Sequence, residues 1–164
     1  MDRWWMWALP LGVLATAVMD VSGVVLHRWR GLPLPNYGMV GRWIGHMPRG
    51  RFLHASIAAA APVRGEGVIG WTVHYAVGVA FAMLLLAVWG VEWLRSPTLM
   101  PPLLVGVLTV AAPFLLMQPA MGSGLASRRT PNPKAARLRS LLNHALFGFG
   151  LYGAGWLVRC VWFS

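Results

Sequence analysis

Asp20, His74 and Arg159 are the acidic, imidazole and basic side chains inside four long apolar stretches, 4–26, 68–89, 99–121 and 145–163. A charge in such surroundings costs about 3 kcal/mol when the surroundings are lipid, so each is a candidate for function. Further polar groups sit at the stretch ends. Gln118 and Ser123 mark the exit of the third stretch, and Asn143 and His144 the entry to the fourth. His46, His54 and Glu66 belong to the connection between the first and second. If the stretches cross a bilayer in alternation, all of these except Arg159 fall toward one membrane side.

Three chemistries fit that collection. Imidazole and carboxylate together suit a divalent metal, with His54, His74, His144 and Glu66 as the candidate ligands. The same types can transfer protons, which makes Asp20, Glu66, His74 and His144 candidate catalytic groups. A haem held axially by His74 and His144 between two helices is a second cofactor reading. The spacing limits the metal reading. No His-Glu-x-x-His pair occurs, and a continuous helix would separate Glu66 from His74 by about 12 Å of rise. The plain alternative is that Asp20 pairs with Arg28 or His74 and the histidines satisfy buried polar groups. Such pairs fix packing more than they add net stability.

Arg42, Arg128 and Arg129 form a candidate anion site, with Arg49 and Arg51 nearby in sequence. Ser127-Arg128-Arg129-Thr130 supplies guanidinium and hydroxyl donors suited to a phosphate or carboxylate. His46 and Gln118 complete the polar set.

The elements that must position these groups are helices. About 20 residues of helix cross a bilayer, and each apolar stretch has about that length. The chain has 164 residues, 57% of them hydrophobic and 11% charged. A soluble domain is about a quarter charged. The net charge of +10 would suggest nucleic acid in a soluble protein. Here the basic residues lie between apolar stretches, which points to topology and lipid headgroups and away from nucleic acid. Cys160 is the single cysteine, so no intramolecular disulfide or thiolate cluster forms.

Eleven of the Lys and Arg residues lie in the first and third connections, against Arg3, Arg95 and Arg159 on the other side. The positive-inside bias then places those connections in the cytoplasm and both termini outside. Trp4, Trp5, Trp7, Trp89, Trp93 and Trp162 all fall on the outer side, as an interfacial belt would. Asp2 beside Arg3, and an apolar run that passes Asp20 without a small-residue cleavage site, predict a retained first helix rather than a signal peptide.

The first connection is long, and Tyr37, Val40, Trp43, Ile44, Met47 and Phe52 predict a short amphipathic helix on the cytoplasmic interface. The stretch 52–61 is apolar but too short to span, so it is expected to be interfacial or re-entrant. Gly70, His74, Gly78 and Ala82 recur every fourth residue, and Gly148, Gly150, Ala154 and Gly155 repeat the device. Small residues let helix backbones approach closely. Pro113 predicts a kink in the third stretch whose freed carbonyl needs a partner.

Several motifs resemble one family. They are Ala15-Thr16-Ala17-Val18-Met19-Asp20, Val40-Gly41-Arg42-Trp43 with Gly45-His46-Met47, and Gly65-Glu66 with Ile69-Gly70-Trp71 and His74-Tyr75. Pro97-Thr98-Leu99, Gln118-Pro119-Ala120-Met121-Gly122, Thr130-Pro131, and His144 with Phe147-Gly148 extend the match over nearly the whole chain. The chain resembles small bacterial integral membrane proteins grouped as a domain of unknown function. The resemblance implies an inner-membrane location, a four-helix architecture and no particular reaction. Its polar motif positions fall on Asp20, Arg42, His46, Glu66, His74, Gln118 and His144.

The expected protein is therefore all-α: one domain, a four-span integral membrane bundle in the bacterial inner membrane, N-out and C-out. A long cytoplasmic first loop carries short interfacial helices. The bilayer is its first partner, with anionic lipid, a small anionic substrate or a second copy of the chain as further ones. A metal- or anion-binding site at the cytoplasmic end, serving an enzyme on a lipophilic or cytoplasmic small molecule, is the leading functional reading. A proton-coupled transporter is the alternative, although a pathway should leave polar groups in the outer half of the spans as well. A structural subunit of a larger membrane complex is the third.

Overall fold

A computed structural model describes residues 5–162. The expectations for Asp2, Arg3, Trp4 and Phe163 lie outside the described residues. Among those described, the regular structure is entirely helical.

Four helices are long and apolar enough to cross a membrane: Trp5–Arg30 (α1), Glu66–Trp89 (α3), Met100–Ala120 and Pro133–Trp162 (α7). Only 22% of the most apolar window is buried in each of the first three, and 39% in the last. Helices that are apolar all round yet mostly uncovered by protein need lipid around them. Between them lie the short helices Tyr37–His46 (α2) and Glu92–Arg95 (α4). The third long helix is composite: Met100–Leu108 (α5), a π-helical turn Pro113–Met117, and a last turn Gln118–Ala120 (α6).

Two boundaries differ from the apolar reading. α1 runs on to Arg30 and carries His27, Arg28 and Arg30 in its last turn, where cations complement the helix dipole. It stops at Gly31, whose φ of +65 and N–H bond to the His27 carbonyl (2.9 Å) make a glycine cap. α7 begins at Pro133, three turns or so before the apolar stretch. Pro suits a first helical position, and Asn132 Oδ1 accepts the Ala135 N–H at 3.1 Å. Hydropathy marks the lipid-facing part of a helix, not its capped ends.

The predicted amphipathic helix of the first connection is α2 as far as His46; Met47 falls in a 3₁₀ turn, Met47–Arg49, and Phe52 lies beyond it. The apolar stretch 52–61 is not a helix: it is an irregular strap with one 3₁₀ turn, Ile57–Ala59.

The chain divides into two compact units. The first holds the described residues up to Leu34, then Tyr75–Thr109, then those from Leu142 onward. Its core includes Leu11, Ala15, Leu85, Leu94, Phe147 and Leu151. Small residues mark its helix crossings, as the fourfold spacing predicts. A Cβ on Gly12 or Gly78 would strike the facing helix, α3 or α1, and one on Gly150 would meet the Ala15 backbone. One on Gly148 would lie 2.9 Å from the Pro102 carbonyl oxygen. Trp93, expected in the interfacial belt, is instead only 6% exposed. It packs where Gly155 leaves room and donates its indole N–H to the Thr98 carbonyl at 3.1 Å. Trp5 and Trp162 stay well exposed.

The second unit is Pro35–His74 with Val110–Leu141. It contains both basic connections and most of the candidate polar residues.

Candidate functional site

α2 and the start of α3 form the base of the second unit. They run antiparallel at close range because glycines face each other. A Cβ on Gly41 would collide with the Glu66 carbonyl, and one on Gly70 with the Tyr37 carbonyl. This contact sets Tyr37 over His74, with ring centroids 3.9 Å apart and planes 21° from parallel. Trp71 lies edge-on to both rings.

From that base, successive residues of α2 hold the strap 52–61. Trp43 donates its indole N–H to the Phe52 carbonyl at 2.9 Å. Arg42 Nη1 donates to the carbonyls of Ile57, Ala58 and Ala60 at 3.4, 3.3 and 3.2 Å. His46 Nε2 lies 3.0 Å from the Ala61 carbonyl. The strap also pairs with the end of the third long helix. His54 donates its backbone N–H to the Ala120 carbonyl at 2.8 Å, and Ile57 to Met121 at 3.0 Å.

Arg42 and Glu66 close the arrangement. The guanidinium grips the carboxylate bidentately, Nε to Oε2 at 2.9 Å and Nη2 to Oε1 at 2.7 Å. Fork-to-fork pairs of this kind are the strong ones. Glu66 Oε2 also accepts the Val63 N–H at 2.9 Å, a carboxylate reaching back over its own helix start. The hydrogen bond to Glu66 raises the Arg42 pKa above its ordinary value, against a smaller desolvation cost. The anion-site role expected of Arg42 is thus already filled by Glu66 and the strap carbonyls.

Two imidazoles stand beside this clamp, His46 buried and His54 half-buried. His46 is 2% exposed. Its ring centroid lies 5.1 Å from that of His54. His46 Nδ1, both ring nitrogens of His54, and Gln118 Oε1 are buried without a hydrogen-bond partner. The Gln118 amide nitrogen reaches Ser140 Oγ at 3.4 Å.

The remaining basic candidates lie on the loop after the third long helix. Ala126 (φ +45) and Ser127 (φ +59) are left-handed there. Arg137 Nε holds the Ala126 carbonyl at 2.7 Å, and Thr130 Oγ1 donates to the Ser127 carbonyl at 2.8 Å. Arg128 and Arg129 are exposed on it.

Asp20 and His144 belong to the first unit. Tyr75 hydrogen-bonds the Asp20 carboxylate. His144 Nδ1 lies 3.1 Å from the Gly106 carbonyl and 3.2 Å from Thr109 Oγ1. Thr109 Oγ1 lies within 2.7 and 2.8 Å of the Val105 and Gly106 carbonyls.

The structure therefore brings together Arg42 with Glu66 and His46 with His54, and sets His74 among aromatic rings. Among the described residues, no group of three or more His, Cys, Asp or Glu side chains is placed to hold a metal ion. Of the candidate ligands His54, His74, His144 and Glu66, the second unit holds His54, His74 and Glu66, with Glu66 bound by Arg42 and His74 stacked on Tyr37, and the first holds His144. Tyr37, Tyr75, Thr109 and Ser140, which the sequence reading passed over, are the partners of His74, Asp20, His144 and Gln118. Thr109 alone carried a signal, a hydroxyl four residues ahead of a mid-helix proline.

The profile of the DUF2938 family, described as a protein of unknown function, matches residues 9–158. The chain belongs to that family. The match takes in α3, the composite third helix and most of α1 and α7, so it runs through both units. The resemblance drawn from the motifs thus holds at the level of family. No curated protein and no solved structure matches the chain.

Proposed function

We propose that this DUF2938 protein is an integral inner-membrane protein, a bundle of four spans with both termini outside, that binds a metal ion or small anion at its cytoplasmic end. One observation carries this reading. The first connection from Pro35 onward and the third, separated in sequence by two long helices and a turn, fall in one compact unit with the adjoining ends of three long helices. A four-pass chain puts those connections on the same membrane side, and the eleven Lys and Arg residues of the connections and the helix ends beside them favour the cytoplasmic one.

Within that unit Arg42 and Glu66 are positioning residues that hold the strap on α2. His46 and His54 are the groups with unmet bonding capacity. Arg128 and Arg129, exposed on the loop after the third long helix, draw anions toward the same unit. His74, Asp20 and His144 are the remaining proton-transfer candidates.

Cysteine labelling tests the topology. In a Cys160→Ser background, Ser96→Cys is expected to react with a membrane-impermeant maleimide in intact spheroplasts. Arg51→Cys is expected to react only after permeabilisation. The inverse pattern overturns the orientation, and outside labelling of both overturns the four-span arrangement.

A further inference from the structure

His46 and His54 have a geometry that their own packing does not use. His46 meets a backbone carbonyl through Nε2, so Nε2 carries the proton and Nδ1 presents a lone pair. That lone pair is buried with no donor. A histidine that gives one N–H to a carbonyl and keeps the other nitrogen bare is the usual state of a metal ligand, tautomer and ring orientation both fixed. His54 is more exceptional, because both of its ring nitrogens are buried and unpaired. Leaving a buried polar group unsatisfied is costly, and here the unpaired atoms lie on neighbouring rings, tilted 60° to each other.

The ring spacing agrees with a bridging transition-metal ion. Metal–nitrogen bonds of about 2.0–2.1 Å put an ion about 3.2 Å from each imidazole centroid. Two imidazoles on one tetrahedral ion then have centroids about 5.2 Å apart. The observed separation is 5.1 Å. A direct His–His hydrogen bond would satisfy one nitrogen of each ring, yet neither His46 Nδ1 nor either His54 nitrogen has one.

The scaffold is also fixed beforehand. His46 stands on α2. His54 is pinned from both sides, by the Trp43 bond to Phe52 and by its own N–H on the Ala120 carbonyl. Supporting bonds of this sort are what a site needs to hold its ligands in register.

We infer that His46 Nδ1 and a ring nitrogen of His54 form a two-imidazole site for a borderline divalent transition metal such as zinc, with its other positions open to exogenous oxygen donors. The assignment rests on the reading of the second unit as a binding region and names its ligand. Neither Glu66, committed to Arg42, nor His74, stacked on Tyr37, takes part.

The test uses the full chain in nanodiscs, stripped with chelator and titrated with Co²⁺. The expected result is the intense visible absorption of tetrahedral cobalt, displaced by Zn²⁺. His46→Gln and His54→Gln each weaken binding at least about tenfold, while His27→Gln, at an exposed histidine of α1, leaves it unchanged. Should either ligand variant fail to fold, Cu²⁺ electron paramagnetic resonance on the unaltered protein decides: coupling to two imidazole nitrogens supports the site. Coupling to fewer, octahedral cobalt spectra, or equal binding by a folded His46→Gln/His54→Gln protein overturns it. Loss of the metal site leaves the labelling pattern of Arg51→Cys and Ser96→Cys intact, so the two readings fail separately.

Discussion

The guanidinium of Arg42 grips the carboxylate of Glu66 in a two-point fork, with Nη2 to Oε1 at 2.7 Å, while its remaining nitrogen caps three carbonyls of the strap. One side chain therefore ties α2 to the start of α3 and to the strap at once. This sets it apart from a surface ion pair such as Glu92–Arg95, where both partners are well exposed and little stability is at stake.

Arg42→Lys keeps the charge but loses the fork and the carbonyl contacts, since an ammonium cannot present planar donors on two sides. The expected result is a drop in thermal midpoint on the order of 5 °C, close to that of Arg42→Ala. The charge swap Arg42→Glu/Glu66→Arg should not rescue it, because a carboxylate would then face the Ile57, Ala58 and Ala60 carbonyls. A full rescue in a thermal melt would show that the pair acts by charge alone.

Glycines of α2 and α3 predict opposite signs for one substitution. Gly41→Ala and Gly70→Ala drive a methyl into a facing carbonyl, so the helices must part and the Tyr37–His74 stack must open. Loss of the monodisperse folded peak, or more than about 3 kcal/mol of stability, is expected. Gly67 has nothing within 4 Å of its added Cβ, and alanine is the better helix former by about 1 kcal/mol. Gly67→Ala should be neutral or stabilising in a denaturant titration.

Much of the fold was legible because hydropathy and small-residue spacing are local signals. The four long helices, α2, and the close approaches at Gly70, Gly78 and Gly148 all follow from them. The helix extensions at Arg30 and Pro133 were not, since capping and dipole effects outlast the apolar run. Nor was the burial of Trp93, which depends on Gly155 being opposite it in space. The candidate site was legible as a set of residues but not as a set of pairs. Glu66 looked like a ligand because nothing in the sequence says that Arg42 will occupy it. His46 looked secondary because its bare nitrogen is defined by the Ala61 carbonyl, fifteen residues away.

The Pro113 region gives a third prediction. His144 Nδ1 and the Gly106 carbonyl lie 3.1 Å apart, and His144→Leu removes the donor. The Gly106 carbonyl keeps Thr109 Oγ1 at 2.8 Å, so the loss is that of one hydrogen bond, about 0.5–1.5 kcal/mol. Thr109→Val should cost about as much, because the Val105 carbonyl keeps the Thr109 backbone N–H at 3.0 Å and the Gly106 carbonyl keeps His144. A loss well above that range in either variant, read in a denaturant titration, would show that the remaining group does not satisfy the Gly106 carbonyl.

Gly122 controls how firmly His54 is held. Its φ is +95, a conformation that costs other residues strain, and an added Cβ would run into the Ala55 carbonyl and lie 2.9 Å from that of His54. Gly122→Ala therefore pushes the strap off the end of the third long helix, where the His54 and Ile57 N–H groups find their acceptors. The Arg42 and Trp43 bonds do not involve Gly122, so the strap should loosen around residues 54–57 while staying anchored at Phe52 and Ala60. Hydrogen exchange would show faster exchange of the His54 and Ile57 amides, with the α2 amides unchanged. Cobalt affinity at the histidine pair should fall in step, because a loose His54 must be ordered before it can bind. Unchanged exchange at His54 and Ile57 would mean that the backbone pairing is not what holds the strap.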